Sequence, residues 1–330
     1  MRAITQDKYG SAEVLHLADI EQPVIGANEL LVRVRAAGLD RGTWHSMSGL
    51  PYLMRVMGFG FLKPKNRVAG LDVAGTVTAV GADVQGFAVG DDVFGISRGS
   101  FAEYAAVRDE KLALKPTALA FERAAVVPIS GGTALQALRD SGRIEAGQHV
   151  LIVGASGGVG TYAVQLAKVF GAEVTGVCSS AKMDLVRSIG ADHVIDYARE
   201  NFADGARRYD LIIDIGGNTK LARLRRALTP RGTLVIVGGE AGGKWTGGFG
   251  RSLRAPLLSL FVRQRLSMLA SKEHRRYFEP VAELIEAGRV TPSIDATYPL
   301  EAVPEAMRRL EAGEVRGKVA ITVSIVPPTD

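Results

Sequence analysis

Between Val150 and Val237 short apolar runs alternate with stretches of helical periodicity, and no other feature of the 330-residue chain restricts its fold as strongly. Strands are expected at Val150–Val153, Glu173–Val177, His193–Ile195, Leu211–Asp214 and Thr233–Val237. Helices are expected between them at Gly158–Phe170, Ala181–Ser188 and Thr219–Leu228. A parallel strand pair needs a crossover long enough to hold a helix, and that crossover is right-handed, so this rhythm predicts a parallel, doubly wound sheet. Before residue 110 the texture differs. Leu30–Arg35, Asp72–Val80, Asp92–Ile96 and Phe101–Val107 read as short strands set among glycines, which suits an irregular antiparallel barrel or sandwich. Glu122–Val127 and Gly132–Leu138 read as helices. In the tail, Tyr277–Ala287 and Val303–Ala312 read as helices and Val319–Val323 as a strand returning to the N-terminal part. Two domains are expected, since a chain of this length is too long for one compact core.

The segment Leu151-Ile152-Val153-Gly154-Ala155-Ser156-Gly157-Gly158-Val159-Gly160 runs from a buried strand through a tight turn into a helix. Ala155, Gly157 and Gly160 fall on the glycine positions of the dinucleotide pattern. Gly157 lets the backbone approach a pyrophosphate, Gly160 lets the helix pack closely on its strand, and the helix N-terminus offers oriented N–H groups to the anion. Ser156, Gly158 and Val159 complete the candidate cradle. The end of the second strand bears on which dinucleotide binds. An acidic residue there would hold a ribose 2′-hydroxyl, but the strand ends Cys178-Ser179-Ser180-Ala181-Lys182. Serine hydroxyls and a lysine suit a 2′-phosphate, so NADPH is expected, with Ser179 and Lys182 as its ligands and Tyr197 closing over the adenosine side. Gly216, Val237 and Gly238, together with Lys318, complete the candidate coenzyme set.

Composition narrows the remaining classes. The net charge of +5 is compatible with nucleic-acid binding, yet no RNA-binding signature accompanies it, and a basic surface equally attracts phosphate-bearing ligands. The single cysteine, Cys178, excludes an internal disulfide and a four-cysteine zinc knuckle, which favours a reducing compartment. Residues Met1 to Asp7 lack a hydrophobic signal core and no long uncharged apolar stretch occurs, so a cytoplasmic protein without a membrane span is expected. Pro256–Ala270, apolar with interspersed arginines, reads as a lid or subunit contact. His16, His149, His193 and His274 are scattered singly and carry no site.

Taken together, these residues resemble the medium-chain dehydrogenase/reductase superfamily and, within it, the zinc-less quinone oxidoreductase (zeta-crystallin-like) branch. The resemblance spans essentially the whole chain. Besides the glycine turn it rests on Met1-Arg2-Ala3-Ile4, Ala37-Gly38-Leu39-Asp40, Ala69-Gly70-Leu71-Asp72-Val73-Ala74-Gly75, Val89-Gly90-Asp91-Asp92-Val93, Ser130-Gly131-Gly132-Thr133-Ala134 and Gly317-Lys318-Val319. It implies an α/β protein: a Rossmann NADPH-binding domain at 125–271 and a mostly β, GroES-like catalytic domain built from 1–124 and 272–330, with the active site between them. It also implies a homodimer. Zinc-dependent members use a cysteine where this chain has Asp40 and Gly-His-Glu where it has Gly70-Leu71-Asp72, so no metal is expected. A noncanonical site of Asp40, His45 and Asp72 would lack any recognised ligand spacing.

Without a Lewis acid, hydride transfer suits acceptors activated by their own conjugation, such as quinones, enones and enals. Such an acceptor needs a hydrogen-bond donor at its carbonyl. Tyr52 is the candidate donor, Asp40 in the loop from Asp40 to His45 is the candidate orienting group, and Thr133 resembles the family threonine at the nicotinamide end. Leu53–Lys65 reads as a lid suited to a bulky apolar acceptor. Two alternatives stand beside this reading: an NADPH-binding protein with a sensory or RNA-binding role, and an alcohol dehydrogenase-like enzyme with a noncanonical metal.

Overall fold

The structure is a computed structural model, and it describes residues 1–217, 219–239 and 243–324, apart from the side chains of Met57 and Phe249. The chain forms two compact units: residues 1–130, 273–286 and 294–330 make one, and 131–272 with 287–293 make the other.

In the second unit six strands form one parallel sheet. Numbered along the chain they are His149–Val153, Glu173–Cys178, His193–Asp196, Tyr209–Asp214, Leu228–Ile236 and Arg265–Met268, and across the sheet they run 3-2-1-4-5-6. This is the order of a doubly wound dinucleotide fold, with its switch point between the first strand and the fourth. Val150, Leu151 and Ile152 pair with Leu211, Ile212 and Ile213 at that point, all within 1 % of full burial. Continuous apolar strands of this kind are what a sheet covered on both faces requires.

Two features depart from the expected elements. The last strand, Arg265–Met268, lies inside Pro256–Ala270, and its alternation of polar and apolar residues spans only four positions. Pro256, expected to open that segment, instead sits within the helix Phe249–Ser259. The glycine-rich stretch from Gly239 to Gly250 falls partly outside the described residues, at 240–242.

The first unit holds a seven-stranded, mainly antiparallel sheet. Its central strand, Glu29–Leu39, pairs with Asp72–Val80, Tyr104–Arg108 and the tail strand Lys318–Thr322. Val319 opposite Leu39 and Ala320 opposite Gly38 fix the register of the returning tail. Its core gathers Val32, Val34, Val73, Phe101, Ile321 and the helix residues Val303, Ala306 and Met307, all fully buried. Asp40 to His45, expected as a loop, begins a helix, Arg41–Ser48. Its signal is local: the Asp40 carboxylate accepts a hydrogen bond from the Thr43 N–H at 2.8 Å, a side-chain N-cap, and Gly49 ends the helix at φ 62°. No helix among the described residues is long and apolar enough to cross a membrane.

Candidate functional site

At two positions of the turn after the first strand of the parallel sheet, backbone contacts leave no room for a side chain. Gly154 adopts φ 89°, and a Cβ there would lie 2.9 Å from the Gly216 nitrogen. A Cβ on Gly160 would lie 2.1 Å from the Gly154 oxygen and 2.7 Å from the Ala155 carbonyl carbon. The helix Gly158–Val169 therefore packs directly against the strand end, the role expected of the third glycine. Gly157 is different, because a Cβ there would meet only the Gly154 oxygen, at 3.6 Å. It is the N-cap of that helix and supplies no capping side chain, so the first-turn amides keep their capacity for an external acceptor. Ser156 is buried and Val159 half-buried beside it.

Two other strand ends meet this turn. Ile215 and Gly216 donate from their N–H groups to the Val153 oxygen at 2.9 and 3.1 Å, and Val237 and Gly238 donate to the Asp214 oxygen at 2.9 and 3.2 Å. A Cβ on Gly238 would overlap the Ile215 oxygen at 1.9 Å. The candidate coenzyme residues Ala155 to Val159, Gly216, Val237 and Gly238 are thus brought together at the carboxyl edge of one sheet, where ligands of such folds bind.

Ser179 and Lys182 flank the end of the neighbouring strand, Ser179 preceding a short 3-10 turn, Ser180–Lys182. Tyr197 follows the next strand and is 60 % exposed. A carboxylate that the sequence places out of view stands here too. Asp196, opposite Cys178 in the parallel register, accepts a hydrogen bond from the Ser180 hydroxyl at 2.8 Å and one from the Ala198 N–H at 3.0 Å. The Ala198 and Ser180 bonds hold its carboxyl below the ordinary carboxylate value. The Cys178 thiol is pushed up to about 11, first by burial and then by Asp196, and is no nucleophile at neutral pH.

Thr133 lies in the same unit, its hydroxyl 3.3 Å from that of Ser271. Tyr52, Asp40 and Lys318 belong to the other unit. The Tyr52 ring lies 4.6 Å beneath the Arg55 guanidinium, which also covers Tyr9 at 4.2 Å. Asp40 and Lys318 share a buried cluster with Asp72. The Lys318 ammonium, 1 % exposed, donates to one Asp72 oxygen at 3.1 Å, and the Ile129 N–H donates to the other at 2.8 Å. Asp40 has one oxygen on Thr43 while the second, buried, has no partner. Both carboxyls are raised from their ordinary value, chiefly by burial, with Lys318 opposing the shift. Two buried acids share one base, an arrangement that favours protonation of the cluster. The sequence singled out all three residues but not their association, which joins positions 246 residues apart.

Zinc does not fit these residues. Leu71 has no ligand atom, Asp40 caps a helix, and Asp72 is engaged by an ammonium. Among the described residues no group of three or more His, Cys, Asp or Glu side chains is placed to hold a metal ion.

Residues 26–117 match the family model for the alcohol dehydrogenase GroES-like domain, and residues 189–321 match that for zinc-binding dehydrogenases. The 2-methylene-furan-3-one reductase of Solanum lycopersicum is 33 % identical over 97 % of this chain and 79 % of its own. The structure of the quinone oxidoreductase from Coxiella burnetii superposes with a TM-score of 0.87 at 28 % identity, covering 98 % of this chain and 99 % of that one. A mycobacterial protein complexed with NADPH superposes with a TM-score of 0.83 at 26 % identity, covering 98 % and 99 %. By these matches, its doubly wound sheet and its glycine turn, the chain belongs to the quinone oxidoreductase branch of the medium-chain dehydrogenase/reductase superfamily.

Proposed function

We propose that the protein is a zinc-independent oxidoreductase that uses NADPH to reduce quinones or activated alkenes such as enones and enals. The observation that carries this reading is the uncapped helix N-terminus at Gly157, set at the switch point of the sheet with Ser179 and Lys182 at the neighbouring strand end. Bound there, the reduced nicotinamide supplies a hydride. The first-turn amides and Gly157 take the pyrophosphate, and Ser179 and Lys182 take the 2′-phosphate. The Asp196 carboxylate accepts from Ser180 and Ala198 and has the Arg199 guanidinium 3.7 Å away to offset its charge. Tyr197 closes on the adenosine, and Gly216, Val237 and Gly238 line the path beyond the pyrophosphate.

Tyr52 serves as donor to the acceptor carbonyl, Asp40 as an orienting group, and Thr133 faces the nicotinamide. The choice of acceptor follows from the residues at the former zinc positions: Asp40 and Leu71 supply no Lewis acid, so the acceptor brings its own activation. The names of the tomato reductase and the Coxiella quinone oxidoreductase support the same two classes. The same reading takes 125–271 as the coenzyme domain of a cytoplasmic homodimer whose partners are the coenzyme and a small acceptor, without nucleic acid.

Replacing Ser179 and Lys182 together with alanine is expected to weaken NADPH about tenfold or more, the loss of roughly 1.5–3 kcal/mol of charge-assisted hydrogen bonding, and to leave NADH within about twofold. Titration of both nucleotides by nicotinamide fluorescence checks this. Equal losses for the two would place the 2′-phosphate elsewhere.

A further inference from the structure

One buried charge in the nucleotide-binding unit has no part in the site described so far. Arg251, in the first turn of the helix Phe249–Ser259, is largely buried, and Asp214, at the end of the fourth strand, is fully buried. One terminal nitrogen of Arg251 donates to the Asp214 carboxylate and, at 2.8 Å, to the Thr219 carbonyl. The other donates to the Gly238 carbonyl at 3.0 Å. A buried ion pair of this kind contributes little net stability and is often matched by apolar packing of the same volume. Its connections suggest a different use. Thr219 closes the segment that begins at Ile215, and Gly238 closes the strand end at Val237. Gly238 is gripped at both ends: its N–H donates to the Asp214 main chain at 3.2 Å, and its carbonyl accepts from the guanidinium that Asp214 itself holds. Three carbonyl or carboxylate groups from separate segments thus converge on one planar fork, a geometry that lysine cannot reproduce.

We propose that Arg251, set by Asp214, is a positioning residue for the coenzyme, fixing the strand ends at 215–217 and 237–238 in the path of the half of the dinucleotide beyond the pyrophosphate. The inference rests on the coenzyme reading given above. Arg251 touches no coenzyme itself; it acts through the backbone it holds, and displacement of that backbone by a fraction of an ångström loosens the site.

The test is a charge-balanced double variant, Asp214→Asn with Arg251→Met, which removes both charges and so leaves no lone buried ion. The melting temperature is expected to stay close to that of the wild type, while the Kd and KM for NADPH rise about tenfold and kcat stays within about twofold. Arg251→Lys, which keeps Asp214 paired but spans fewer acceptors, is expected to give an intermediate rise and serves if the double variant does not fold. NADPH binding within twofold of the wild type in either folded variant overturns the proposal. If the wild-type protein itself binds neither NADPH nor NADH, the coenzyme reading fails and this inference falls with it; wild-type binding with unaffected variants removes this inference alone.

Discussion

A Gly157→Val variant is expected to fold with a melting temperature near that of the wild type and to lose about 100-fold or more in affinity for the dinucleotide. The two halves of that result come from separate features of one residue. At φ −87° and ψ 178° Gly157 occupies extended backbone that any residue adopts, and beyond its chain neighbours an added Cβ would meet only the Gly154 oxygen, at 3.6 Å. The protein therefore has no structural need for glycine at this position. The need arises only if something outside the chain approaches the backbone, and a pyrophosphate seated on the first-turn amides does so. Gly160→Val makes the contrast: its side chain would collide with backbone at 2.1 Å, and it is expected to cost stability of about 1–3 kcal/mol or more through overpacking in addition to binding. Calorimetry alongside fluorescence titration separates the two variants. A Gly157→Val protein that binds NADPH as tightly as the wild type would show that the turn is only a strand-to-helix connection.

Removal of the buried ammonium has the second large effect. Lys318→Met leaves Asp72 without its cation in a site closed to water and is expected to destabilise the protein by about 3–5 kcal/mol near neutral pH. The same cluster makes wild-type stability depend on pH in a stated direction. Burial raises Asp40, and it raises Asp72 to about 7, whereas both titrate near 3.8 in the unfolded chain. Between these values the native protein holds more protons than the unfolded chain, so stability is complete at the acid end and falls as pH rises toward 7. Asp7, Asp192 and Asp196 have the opposite sign, being lowered, and their contribution is lost only as pH falls below 3.8. Asp40→Asn supplies a permanently neutral partner, and its melting temperature is expected to decline less than that of the wild type between pH 5 and pH 8. Parallel declines would mean that Asp40 holds no proton in the native protein.

Much of the coenzyme half of the molecule is legible in the sequence because local signals and packing agree there. The apolar runs Leu151–Val153 and Leu211–Ile213 are strands because both faces are covered, and Gly154 and Gly160 stand where close approach of backbone demands them. The sixth strand was hidden because at an edge position Arg265 and Ser267 alternate with apolar residues too briefly to register. The helix at Arg41–Ser48 was hidden in a different way: the sequence from Asp40 to His45 is polar and short, and its cap becomes visible only as a hydrogen bond from Thr43.

Partners distant in sequence were the least legible. Asp72 with Lys318 and Asp214 with Arg251 are each unremarkable alone, an acid near a strand end and a base in a helix or tail, and only the tertiary fold shows that each pair shares one buried site. Asp196 illustrates the converse. The lack of a carboxylate at the end of the second strand argues for NADPH, yet Asp196 arrives from the third strand and accepts a hydrogen bond from Ser180.

Hydride transfer from NADPH to a conjugated acceptor without a metal is tested by the loss of the nicotinamide absorbance on mixing the purified protein with NADPH and a panel of quinones, enones and enals, in the presence of a strong chelator. Turnover is expected with at least one acceptor class, faster with NADPH than with NADH and at the same rate with or without the chelator. No oxidation of NADPH across the panel, or activity abolished by the chelator and restored by zinc, would contradict it.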